Sequence, residues 1–136
     1  ENVRHYFPKE KYSDADYRRM VYLFRVRAAQ DGVFGAFDCP DGGSVMARRS
    51  RSTTPLQALN LFNSTFVNEQ AAVLVERIQR ESGAAVEAQV RAAFEKFYAR
   101  PPDTFEMEAS QKLVREEGLL ALARALYNTS EFLFVF

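Results

Sequence analysis

The chain has 136 residues, 18 Lys and Arg against 18 Asp and Glu, one His, one Cys and no Trp. A length and apolar fraction of this order suit one folded domain and exclude a disordered tail, and no 18-residue apolar run is present to span a membrane. A single Cys permits no intrachain disulfide, one Cys with one His cannot by themselves build a zinc site, and no CxxCH haem attachment is present. The zero net charge conceals an asymmetry: residues 1–55 hold 10 basic and 7 acidic side chains, and residues 56–136 hold 8 and 11. Without an overall basic excess, nucleic acid is not an expected partner.

In chain order, residues 1–13 show no period and contain Pro8, so they read as an extended arm. Ser13 and Asp14 are good N-caps, and Tyr17, Met20, Val21, Phe24 and Ala28 share one helical stripe that Asp31-Gly32 should end. Residues 31–53 have neither helical nor strand periodicity. They carry Phe34 and Phe37, the turn-forming run Asp38-Cys39-Pro40-Asp41-Gly42-Gly43, and the cluster Arg48, Arg49 and Arg51. A structureless stretch of about 20 residues inside a compact domain is uncommon and usually either functional or mobile, which makes this loop the candidate binding site.

Thr54-Pro55-Leu56-Gln57 predicts a helix start: Thr54 caps, Pro55 takes the first position and Gln57 closes the capping box. Leu56, Leu59 and Phe62 then share a face expected to be core. Asn63-Ser64 predicts a break before a helix over 65–81 with the stripe Phe66, Val67, Ala71, Leu74, Val75 and Ile78. Ser82-Gly83 separates it from a helix over 84–99 that carries Val86, Val90, Ala93, Phe94 and Phe97. Arg100-Pro101-Pro102 stops that helix, and the box Asp103-Thr104-Phe105-Glu106 opens another to about 117. Gly118 divides it from Leu119, Leu122, Ala123 and Leu126, and the apolar end from Glu131 to Phe136 should pack on the domain. The expected class is all-α, a bundle of five or six helices with a long ordered loop over about residues 31–53.

The residues that carry chemistry each have a plain structural reading. Asp38 and Asp41 suit acid–base work or an oxygen-ligand calcium site, or else an Asx-turn paired with Arg48 or Arg49. The carboxylates are too few for a D-x-D-x-D-G calcium loop, so no metal is assigned. Cys39 has only His5 as an imidazole partner, and Ser50, Ser52, Thr53 and Thr54 lack a nucleophile elbow. No catalytic residue and no cofactor is assigned. Asp38, Asp41, Arg48, Arg49 and Arg51 stand as candidate binding residues for an anion or glycan, or as a lock between loop and body.

Five motifs occur in order: Arg18-Arg19-Met20-Val21-Tyr22; Phe37-Asp38-Cys39-Pro40-Asp41; the run from Arg48 to Asn63 (RRSRSTTPLQALNLFN); Arg100-Pro101-Pro102; and Asn128-Thr129-Ser130-Glu131-Phe132. In this arrangement the chain resembles the planctomycete-type C-terminal domain of unknown function of large secreted proteins. Those proteins often carry a planctomycetal cytochrome-c-like domain upstream. The resemblance implies an extracytoplasmic setting and no established activity. With its first residue Glu1, the chain is expected to be the C-terminal part of a larger secreted protein, present here as one helical domain over 1–136. The implied role is a non-catalytic structural or interaction module whose partners are other domains of the same protein or a subunit. The alternative is an enzyme-related domain acting on glycans or sulfated polymers through Asp38, Asp41 and Arg48.

Overall fold

A computed structural model describes residues 13–18, 22, 37 and 54–134. The chain divides into two compact units, Glu1–Asn60 and Leu61–Phe136. Every regular element among the described residues is helical, which establishes the all-α class: a 3-10 turn at Asp14–Asp16, then α1 (Pro55–Asn63), α2 (Thr65–Ser82), α3 (Val86–Tyr98), α4 (Thr104–Glu117), α5 (Leu119–Tyr127) and α6 (Ser130–Leu133). Against the expected five or six helices, the described residues hold six α-helices.

In the first unit the predicted start at Ser13 is real, but the segment turns as a 3-10 helix. The Asp16 carboxylate accepts from the Ser13 amide at 2.8 Å and from the Ser13 hydroxyl at 2.7 Å. This side-chain closure competes with α-helical propagation, and Tyr17 leaves helical geometry at ψ 67. Tyr17 is half exposed rather than buried on a stripe. Met20, Val21, Phe24 and Ala28, which completed that stripe, lie outside the described residues. So does nearly all of the segment 31–53 expected to form a long loop, in which only Phe37 is described and is half-buried.

The entry to α1 follows its sequence closely. The Thr54 amide donates to Gln57 Oε1 at 3.2 Å and the Gln57 amide donates to Thr54 Oγ1 at 3.3 Å, closing the capping box. The apolar face, however, is not core: Leu56, Leu59 and Phe62 are 63%, 57% and 51% exposed. Gln57 and Leu61, one turn apart, are the buried pair instead. With Gln57 and Leu61 on the inner face, Leu59, two positions from each, falls on the opposite side of a 3.6-residue helix, and Leu56 is turned at least about 100° away from both.

The second unit is built on α2 to α6. The segment α5 packs against α2, α3 and α4, while α3 also packs against α2 and α4. Ile78, Val90, Ala93, Phe94, Leu119, Leu122 and Leu126 form the core, with Leu74, Val75, Met107 and Leu113 among the side chains packed around it. Apart from Met107 and Leu113, these are residues that the helical periods place inward, and α5 buries all four of its expected positions. Two glycines end helices in backbone that side chains disfavour: Gly83 at φ +68 after α2 and Gly118 at φ +88 between α4 and α5. The buried Gln89 then fixes the first of these turns, donating through Nε2 to the Gly83 carbonyl at 2.6 Å.

At the α1–α2 junction Arg124 of α5 serves two purposes. Its guanidinium lies 5.0 Å from the Phe62 ring centroid and donates at 3.2 Å to the Phe62 carbonyl, one of the acceptors left open at the end of α1. A cation at a helix C-terminus also complements the helix dipole.

Two substitutions separate packing from backbone constraint. Leu122→Ala, at a 2% exposed site, should destabilise the fold by about 2–5 kcal/mol in chemical denaturation. Gly118→Ala meets no atom within 4 Å of the added Cβ, so its loss of about 1–3 kcal/mol should arise from backbone conformation alone.

Candidate functional site

The most organised polar cluster of the described residues lies where α3 turns into α4. Its position begins with sequence: Pro101-Pro102 terminates α3, and Ala99 accommodates the stop in left-handed backbone at φ 56, ψ 26. The next helix starts at Asp103, whose Oδ1 accepts the Glu106 amide at 2.7 Å, while Glu106 Oε2 accepts the Asp103 amide at 2.8 Å. The capping box therefore fixes Glu106 before it meets any other group.

Arg100 faces that carboxylate in fork-to-fork geometry. Nη1 donates to Oε2 at 2.8 Å and Nη2 to Oε1 at 2.7 Å. On its other edge Arg100 grips Glu131 of α6: Nε donates to Oε1 and Nη2 to Oε2, both at 2.7 Å. The remaining Nη1 hydrogen goes to the Pro101 carbonyl at 3.2 Å. A guanidinium has five N–H donors, and all five are committed here. Its plane also lies near the Phe94 and Tyr98 rings, at 5.8 and 5.4 Å from their centroids.

Hydroxyl and aromatic contacts continue the cluster. Thr129 Oγ1 donates to the Leu126 carbonyl at 2.8 Å and accepts the Phe132 amide at 3.3 Å, capping α6. The Tyr98 hydroxyl lies 2.7 Å from Thr129 Oγ1, a bond in which either oxygen can donate, and 3.4 Å from the Leu126 carbonyl. Phe97, Tyr127 and Phe132 then meet edge to face in a closed triangle with centroids 4.7, 5.5 and 5.0 Å apart.

The charges follow from this geometry. Hydrogen bonding to Arg100 holds the Glu106 carboxyl at about 2, against a smaller upward push from burial, and the Asp103 amide assists. Arg100 likewise holds Glu131 below the usual carboxylate range. Hydrogen bonds to both glutamates raise the Arg100 guanidinium further. Burial pushes the Tyr98 and Tyr127 phenols up. Two carboxylates that stay ionised have no proton to donate near neutrality, and a guanidinium with every donor used has none for a ligand. The arrangement holds chain segments together.

A second ionic network joins α2 to α3, where Glu81 accepts from Arg77 at 2.7 Å and from Lys96 at 2.6 Å. Hydrogen bonds from Arg77 and then Lys96 hold its carboxyl at about 2. A shallow depression beside the start of α3, near Ser82, Ala88 and Glu95, is open to solvent and crossed by the Glu87–Arg91 pair at 3.4 Å. Among the described residues no three His, Cys, Asp or Glu side chains are placed to hold a metal ion, and no helix is long and apolar enough to cross a membrane.

The candidate binding residues Asp38, Asp41, Arg48, Arg49 and Arg51 lie outside the described residues, as do Cys39 and His5. What the structure brings together is Arg100 with Glu131, members of the fourth and fifth motifs, 31 positions apart. Their opposite charges in two separate motifs were the available signal. Glu106 was legible as a cap, but its second bond to Arg100 was not.

Acid should weaken this cluster in a defined direction. With Glu106 held at about 2 and its unfolded value near ~4.3, its stabilisation is present above the unfolded value and is lost as pH falls toward 2. Arg100→Lys keeps the charge and loses the fork. It should lower the melting temperature at pH 7 and flatten the fall between pH 5 and 2, with the Glu81 network retaining the remainder. Thermal denaturation of both proteins across that range checks this.

Neither a curated protein nor a solved structure matches the chain. A family model matches residues 1–114, most of the sequence, and its description is PSD1, protein of unknown function (DUF1553). The chain belongs to this PSD1 family of proteins of unknown function.

Proposed function

We propose that the chain is a non-catalytic structural or interaction module of a larger, extracytoplasmic protein, partnered by other domains of that protein or by a subunit. The observation that carries this reading is the saturation of Arg100. The most organised ionic cluster of the described residues spends its donors on Glu106, Glu131 and the Pro101 carbonyl. Residues arranged for turnover keep a donor or proton available to substrate, and Arg100 has no N–H left to offer one. The extracytoplasmic setting rests on the five-motif resemblance. Exposed apolar side chains such as Phe105, at 78%, and the half-exposed Phe134 supply surface on which another domain can rest.

The test is a panel of neutral and sulfated glycans incubated with the full chain and with Asp38→Asn and Arg48→Ala variants of it. The reading predicts no bond cleavage by any of the three proteins. Turnover that disappears in either variant, while its circular dichroism and melting temperature stay unchanged, would establish the loop as an active site and overturn the proposal.

A further inference from the structure

The segment Thr129–Phe134 differs from the helices that precede it. Its helix, α6, has four residues, too few to be stable as an isolated helix, and none of them is buried. The core cluster draws no residue from it. The segment's contacts with the bundle include the Thr129 hydroxyl with Tyr98, Glu131 with Arg100, and Phe132 with Phe97 and Tyr127.

Each receiving group is held by something else. Arg100 keeps its two-pronged bond to Glu106 and its place beside Phe94 and Tyr98. Phe97 stays edge to face with Tyr127 at 4.7 Å, and Tyr98 with Phe94 at 5.4 Å. The surface under the segment is therefore formed without it.

We infer that Thr129–Phe134 is a strap that opens while the α2–α5 bundle remains folded, with the Arg100–Glu131 bond as its ionic staple. Opening uncovers Phe97 and Tyr127 and frees the Nε edge of Arg100. The uncovered surface joins an apolar shelf to a carboxylate-gripping edge, the pair of features that Glu131-Phe132 fills when the strap is closed. Because the paired side chains are 37% and 46% exposed, salt screens the staple more than it affects the core. This inference stands on the strap's contacts and is independent of the role proposed for the whole chain.

Amide hydrogen exchange on the full chain tests it. The Leu133 amide bonds the Thr129 carbonyl at 3.3 Å and the Phe134 amide bonds the Ser130 carbonyl at 3.0 Å, so both report closure of the strap. They should exchange at least about tenfold faster than amides within α3 and α5. Both Glu131→Gln and added salt should accelerate them several-fold further, with core exchange and the midpoint of global unfolding unchanged. Phe132→Ala should do the same through the aromatic contact. Exchange of the two amides at the global rate would overturn the inference, as would a midpoint lowered by either substitution. So would rates that Glu131→Gln leaves unmoved, since fraying without a staple predicts that result.

Discussion

The last turn of the second unit depends on how one guanidinium is positioned. Arg100 sits just past a helix stop, in a turn made by two prolines and a left-handed Ala99, where a flexible cation gains little from a single exposed carboxylate. Its surroundings alter that balance. Glu106 is already held by the Asp103 amide, so little further side-chain freedom is lost when Arg100 binds it. Fork geometry then supplies two parallel bonds to each glutamate. The result ties the α3–α4 corner to α6 through groups that remain partly exposed.

Directly beside this ionic tie runs an aromatic one. Tyr98 contributes to both, with its ring near Arg100 and its hydroxyl on Thr129. Thr129 bonds the Leu126 carbonyl, the Phe132 amide and the Tyr98 hydroxyl where α5 passes into α6. Beneath both ties, α3 and α5 are fixed by burial of Val90, Phe94, Leu122 and Leu126. Packing holds the bundle and directed polar contacts set the position of its last turn, which is why the two can be perturbed separately.

The fold was legible wherever helical period and capping chemistry agreed. The Thr54/Gln57 and Asp103/Glu106 boxes mark the starts of α1 and α4, Gly83 and Gly118 mark stops, and the apolar positions of α2, α3 and α5 point inward as their spacing requires. Tyr17 and the Leu56, Leu59 and Phe62 face, expected to be buried, are exposed, each beside a local side-chain bond. Asp16 closes a tight turn on Ser13, and the capping role of Gln57 goes with a buried position that sends Leu56 and Leu59 outward. The candidate loop residues Asp38, Asp41, Arg48, Arg49 and Arg51 fall outside the described residues. The Arg100 cluster was half legible. Its members stand in recognisable motifs, yet pairing residues 31 positions apart requires the packing of α3 on α5, which no local pattern encodes.

The central claim is that Arg100 keeps Glu106 ionised well below the usual carboxylate range as part of an internal tie. The most direct measurement is an NMR titration of the Glu106 side-chain carboxyl carbon in the folded chain. The account predicts a midpoint at about 2, moving up toward the ordinary glutamate value when Arg100 is replaced by Met. A midpoint near ~4.3 in the unaltered protein, unmoved by that replacement, would contradict it.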